Sequence, residues 1–298
     1  MSKRRNNEAD ESGRRLISDL IDHYTDNHEF RDVYVEGAQD QLRVQWFLQQ
    51  HHIRNVAVYE IESVHIPMET LLKYDLEDGQ KGRVVALALE LEGKIPSPAQ
   101  ATCVGDSDYD ILLERKYAAA SLVLTEYSCH EMYAFNKQTV DKFLAFSAGV
   151  CNVSADELLD TTTPIMVDLH VLRATNQSLK WGMKWVDIDK DISFSKKNLS
   201  FDSDNYVKRY LLRNGRLGQV EEFKSRAVEL RRLKKDDYRY HVSKKDVFVV
   251  LAEYLPHVCQ DASWHKPNII ANSLVGCVEL KQLEQARIYQ EILARVKA

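Results

Sequence analysis

No stretch of the 298 residues approaches the roughly 20 consecutive apolar positions that a membrane-spanning helix needs. The opening, MSKRRNNEADESGRR, is basic and then acidic with no apolar core. It reads as a frayed arm ahead of a helix, not as a secretory leader. The five cysteines, Cys103, Cys129, Cys151, Cys259 and Cys277, are scattered, odd in number and form no CxxC pair. Neither a zinc ribbon nor a disulfide framework is expected from that spacing, and a reducing cytoplasm is the simplest setting. The ten histidines form no HExxH or similar ligand pair, and no GxxxxGK[ST] stretch offers a P-loop for ATP. There is no internal repeat and no low-complexity segment. The net charge of −5 neither advertises nucleic-acid binding nor excludes it, because a local basic patch matters more than the total.

What is present is a globular composition, 44% hydrophobic and 29% charged, long enough for one large or two ordinary domains. Residues 13 to 25 place Leu16, Ile17, Leu20, Ile21 and Tyr24 at helical spacing. VYVEG is a short strand, and DQLRVQWFLQQHH a helix with Leu42, Val44, Phe47 and Leu48 on one side. NVAVYEIES is a second strand, GRVVALALELEG a helix between glycines, and ATCVG and SLVLT are two further strands. Strands alternating with helices predict a mostly parallel α/β sheet covered on both faces. Past residue 135 the pattern is mainly helical. It holds a capping box at Ser154 and Glu157, a strand-forming polar stretch at 185–204, and helices near 165–174, 205–217, 218–235, 245–256 and 279–296. Three regions follow: an arm and helix over 1–30, an α/β domain over 31–135, and a helical region over 136–298.

The acids collect where parallel sheets gather their ligands, at the carboxyl ends of strands. Glu36 follows VYV, Asp106 and Asp108 follow TCVG, and Glu126 and Glu131 follow LVLT. Asp40 lies one helical turn beyond Glu36, and Asp106 and Asp108 alternate along a segment read as extended, so both face one side. Converging carboxylates repel unless a cation sits among them. Mg²⁺ or Mn²⁺ takes hard oxygen ligands, and two such ions serve phosphodiester hydrolysis. Each residue also has a plainer reading. Glu36 and Asp40 suit a helix start, Asp110 a solvated loop, and Glu126 competes with Glu131 for one role. Trp181 and Trp185 read as packing residues.

VYVEGAQD followed by TCVGDSDYD resembles the TOPRIM signature, a glutamate-glycine after a first strand and a DxD after a later one. The spacing from Glu36 to Asp40 is similar to the OLD-like branch, and LTEYSCHEMYAF resembles the TOPRIM-like nucleases of bacterial defence loci, where a glutamate matches Glu131. Length and helical tail resemble the AriB-type effectors of the PARIS anti-phage systems. The resemblance covers about residues 31–135. It implies a Mg²⁺-dependent endonuclease acting as a toxic effector, with Glu36 as ligand and base and with Asp40, Asp106, Asp108 and Glu131 as further ligands. It also implies an RNA target such as tRNA, an inhibitory AriA-like ABC-type ATPase sensor, and a homodimer when active. Relatives often carry a glycine-histidine-aspartate before a late helix. This chain has HVSKKDVFVVL, and Lys245, or Lys244, is the candidate for steadying transition-state charge.

The stretch ELRRLKKDDYRYHVSKK gathers Arg231, Arg232, Lys234, Lys235 and Lys244. A solvated helix face accounts for such a run. The rival reading is a phosphate-binding surface on which Tyr238 and Tyr240 stack with bases. A non-catalytic TOPRIM-like regulatory module is the competing function, and a topoisomerase or primase fragment fits poorly.

Overall fold

The computed structural model describes residues 13–149, 151–260 and 262–298. The arm expected over residues 1–12 lies outside them. No described helix is long and apolar enough to cross a membrane. The chain forms two compact units. The first comprises residues up to Asp106, Lys116–Glu126 and Glu284–Ala298, and the second Ser107–Arg115 and Tyr127–Leu283.

The first unit opens with a two-residue strand, β1 (Arg15–Leu16), where helical spacing predicts a helix from residue 13. The helix starts only at Ile17 and runs to Asp26. The local pattern is overridden by pairing, since β1 runs parallel to β4 (Val64–His65), far along the chain. The central sheet is built from β2 (Asp32–Val35), β3 (Val58–Glu60), β5 (Ala101–Gly105) and β6 (Leu122–Leu124), in the order β3-β2-β5-β6. All three pairings are parallel. Every residue of β2 and β5 is buried, as expected of parallel strands covered on both faces, which read as near-continuous apolar runs. The helices Ala38–Gln50 and Gln80–Leu91 follow their strands as the sequence predicts. The Gln80–Leu91 helix buries Val84, Leu87 and Leu91 in a cluster with Leu20, Tyr24, Tyr34 and Cys103. The helix read over 279–296 is two helices, Leu280–Gln285 and Arg287–Lys297. The Glu126 carboxylate separates them by accepting the N–H groups of Arg287 (2.7 Å) and Ile288 (3.3 Å), and so caps the last helix from a distant part of the chain.

The second unit is mainly helical, with an antiparallel hairpin of β7 (Ile192–Ser195) and β8 (Asn198–Phe201) inside the polar stretch. Its axis is the helix Ala155–Ser178, which absorbs the shorter segment read over 165–174. That helix begins with the anticipated capping box of Ser154 and Glu157. It buries Leu158, Met166, Leu169 and Leu172 in one cluster with Phe223 and Leu230 of the helix Val220–Arg232 and with Val247 and Leu251 of the helix Lys244–Val258. Trp181 stacks on Phe223 and Trp185 packs on Tyr206 and Tyr210, so both are packing residues as read.

One cysteine reading is corrected. Cys151 and Cys259, 108 residues apart, form a disulfide across an isolated antiparallel bridge. Their separation hid the pair, because disulfide geometry is set by the fold and not by spacing.

Two buried polar features fix the second unit. Arg173 donates twice to Asp246, at 2.7 and 2.8 Å, while its guanidinium lies 3.8 Å over the Trp185 ring. Burial raises the Asp246 carboxyl and the arginine opposes that shift. Removing one partner of such a pair costs on the order of 3–5 kcal/mol. The His170 ring packs 4.9 Å from Tyr109 and 6.2 Å from His241. Burial depresses His170 to about 3 and His241 to about 4. Both folded values lie below the unfolded value near 6.5, so the unfolded chain binds more protons as pH falls. Stability contributed by the neutral rings is complete above pH 6.5 and is lost as pH falls toward 4 for His241 and toward 3 for His170. His170→Leu is expected to remove about 1.4 kcal/mol per pH unit from the slope of unfolding free energy below pH 6.5. Urea titrations at a series of pH values check this, and a slope unchanged from the parent excludes it.

Candidate functional site

In the first unit, Glu36 and Asp106 each follow the last residue of adjacent parallel strands. The register pairs Val35 with Val104. Just past that pair, Oε1 of Glu36 accepts the backbone N–H of Asp106 at 2.7 Å. A carboxylate at the end of a buried strand is costly unless its oxygens are satisfied, and a backbone N–H aimed at it supplies a charge-assisted bond. The result is a fixed carboxylate on β2 beside a second carboxylate on β5. Gly37 caps the helix that follows with an extended backbone, φ −162°, and a Cβ there would meet nothing within 4 Å. Asp40 lies in the first turn of that helix, as read, and its Oδ1 accepts from Arg43 at 3.1 Å.

The DxD segment is not extended. Asp108 adopts a left-handed backbone, φ 45°, and its N–H donates to the Ser128 carbonyl at 2.7 Å. The Asp110 N–H then turns back to the Ser107 carbonyl at 2.9 Å. The alternation that would set Asp106 and Asp108 on one side of a strand therefore does not occur. Aspartate tolerates the left-handed region better than most residues, so the turn is accessible here. Asp110, read as a solvated loop acid, is 5% exposed and starts the short helix Asp110–Leu113.

In the second unit Glu131 is 2% exposed in a 3-10 turn, His130–Tyr133, and receives Lys244 Nζ at 2.8 Å. The lysine at the start of the helix Lys244–Val258 thus takes the place beside this glutamate that the resemblance gives to a cation. Lys245 is exposed. Of the two rival acids after β6, Glu126 is the helix cap described above and Glu131 is the one beside a lysine.

The basic stretch is partly committed. Arg231 pairs with Asp168 at 2.8 Å. Arg232, Lys234 and Lys235 are exposed, with Lys235 Nζ 4.0 Å over the Tyr240 ring. Tyr238 is half-buried and its hydroxyl donates to the Phe135 carbonyl at 3.0 Å. Tyr240 packs 5.2 Å from Tyr127, which itself lies under Arg239 and beside Tyr133. Tyr127 escaped sequence reading because a single tyrosine next to an acid carries no periodic signal. Gly105 escaped it too, although a glycine directly before an acid at a strand end is a sign of close approach.

Among the described residues no three His, Cys, Asp or Glu side chains are grouped as a ligand set for a metal ion. The acids at the strand ends are all oxygen donors, a set whose chemistry fits Mg²⁺ or Mn²⁺ and not a thiolate-seeking metal. Comparison of the chain with known protein families and with curated proteins finds no match to either.

A Cβ on residue 105 would stand 3.1 Å from Glu36 Oε1 and 3.4 Å from Leu124 Cδ2. Gly105→Ala is therefore expected to push the Glu36 carboxylate off the Asp106 amide while the chain still folds. The loss is about 1.5–3 kcal/mol, the range for a hydrogen bond to a charged group. Gly37→Ala, with open space around it, leaves stability within about 0.5 kcal/mol. Amide exchange at Asp106 is the readout: faster exchange in Gly105→Ala only is the expected result, and equal rates in both variants would refute the steric argument.

Proposed function

We propose that the chain is a metal-dependent TOPRIM-like endonuclease, a toxic effector of a bacterial anti-phage system acting on RNA such as tRNA. The observation that carries this is the Glu36 carboxylate held by the Asp106 amide at the ends of two adjacent parallel strands. Glu36 and Asp106, with Asp40 and Asp108 beside them in the chain, would hold Mg²⁺ or Mn²⁺, which when bound supplies positive charge at the phosphate and polarises a water. Glu36 is a carboxylate already oriented by a backbone donor, so it would be suited to take a proton from an attacking water. By the same resemblance Lys245, or Lys244, is the candidate for steadying charge at a reacting phosphate, and Lys244 is the one that pairs with a buried carboxylate. Arg232, Lys234 and Lys235 offer exposed positive charge for a nucleic-acid backbone. By the same resemblance, an AriA-like ABC-type ATPase would restrain the effector and a homodimer would be its active form.

The second reading is a non-catalytic regulatory module of the same fold. The Glu131–Lys244 pair, a lysine beside the glutamate to which the resemblance gives a metal ion, favours it. The two readings separate in one assay. Purified protein is incubated with tRNA and with plasmid DNA, first in Mg²⁺ and then in EDTA. Mg²⁺-dependent cleavage, abolished by Glu36→Gln and by Asp106→Asn in proteins of unchanged circular dichroism, is the expected outcome. Full cleavage by either variant would sink the catalytic assignment.

Lysine roles separate by kinetics. Lys244→Ala is expected to slow single-turnover cleavage by about 10²–10³-fold, as for other lost electrostatic stabilisers, with binding nearly intact. Neutralising Arg232, Lys234 and Lys235 is expected to weaken binding and to flatten the slope of log affinity against log salt by about 0.7 per lost contact on single strands. A slope that does not change removes this stretch from nucleic-acid binding.

A further inference from the structure

A second recess lies in the first unit at the opposite, amino-terminal edge of the same sheet, away from the strand ends that carry Glu36 and Asp106. Asp32 is the first residue of β2, and Asn55 and Ala57 immediately precede β3. Together with Arg15, Asp19, His23, Phe30 and Tyr59 they line a cleft of about 340 Å³. That volume is within the range of small-molecule sites, roughly 300–1,000 Å³.

Three features of the cleft bear on what it could hold. The Arg15 guanidinium lies over Tyr59, 4.0 Å from the ring centroid, with Nη2 buried and without a hydrogen-bond partner among the described residues. An unsatisfied buried donor of this kind calls for an explanation. Phe30 is 44% exposed, yet it stacks on the His23 ring at 4.7 Å and 29°, so a flat aromatic surface stands ready at the rim. Asp32 is 5% exposed, and its carboxylate is steadied by the Tyr24 hydroxyl at 2.9 Å, which in turn meets the Tyr34 hydroxyl at 2.6 Å.

These features specify a ligand by its chemistry. The open guanidinium N–H asks for one anionic group. Two carboxylates, Asp19 and Asp32, exclude a polyphosphate and favour N–H donors on the ligand. The His23–Phe30 surface asks for a planar ring. A hydrocarbon ring would leave the guanidinium N–H without an acceptor, and a bare anion would leave the aromatic face uncovered. We infer that this cleft binds a purine nucleoside monophosphate, its phosphate on Arg15, its base on the His23–Phe30 rings, and the base's N–H groups toward Asp32 or Asp19. The inference stands apart from the nuclease reading, because it involves neither the strand-end acids nor the basic stretch.

Isothermal titration of the full chain in EDTA with GMP and AMP tests it, with inorganic phosphate, guanosine and phenylalanine as partial ligands. The expected result is that at least one nucleotide binds ten or more times tighter than every partial ligand. Arg15→Gln should weaken that binding at least tenfold and Phe30→Ala at least threefold. Glu36→Gln and the double variant Lys234→Ala, Lys235→Ala should leave it unchanged. Phe30 is exposed, so its variant reports even where Arg15→Gln impairs folding. Absence of nucleotide binding overturns the inference. So does phosphate or phenylalanine binding as tightly as a nucleotide, or nucleotide binding that Phe30→Ala leaves intact.

Discussion

A buried parallel strand that runs into a carboxylate needs a donor waiting at its end, and here the donor is the amide of the residue just past the neighbouring strand. Glu36 and Asp106 are 70 residues apart, and the bond between them exists only because β2 and β5 pair in one register. A slip of one residue would turn every side chain of either strand to the other face. The apolar runs DVYV and ATCVG therefore do two things at once. They bury enough surface to hold the sheet, and they deliver two acids to one edge.

The sheet was legible because its signals are local: short apolar runs, glycines at their ends, and helical spacing between them. The strand-end positions of Glu36 and Asp106 followed from the same pattern. What the sequence hid was always a decision made by distant parts of the chain. Arg15 and Leu16 fit a helix by spacing, and only the partner strand Val64–His65 makes them a strand. Asp106, Ser107 and Asp108 fit an extended alternation, but the backbone turns at Asp108, where its N–H meets the Ser128 carbonyl. The segment 279–296 is periodic throughout, and only Glu126 breaks it. Cys151 and Cys259 show nothing in their spacing and are joined by the fold.

The second unit is organised differently. Its helices are held by an apolar cluster in which ionisable groups are embedded, the Arg173–Asp246 pair and the neutral rings of His170 and His241. A buried pair of this kind adds little net stability compared with apolar packing, but it penalises any arrangement that separates its members. Asp246 sits two residues after Lys244, so the pair that fixes the start of the Lys244–Val258 helix also fixes the lysine that reaches Glu131. A merely charged helix start would leave that lysine to wander through many rotamers. The Arg173 anchor limits where the ammonium can be.

The first unit is assembled from both ends of the chain. Its sheet is complete by residue 124, but the helix Arg287–Lys297, capped by Glu126 and packed through Tyr289 onto Phe47 at 4.5 Å, comes from the far side of the second unit in the sequence. During translation the whole second unit emerges first. A nascent chain thus carries its strand-end acids on a sheet that lacks its closing helix for as long as the second unit is still being made.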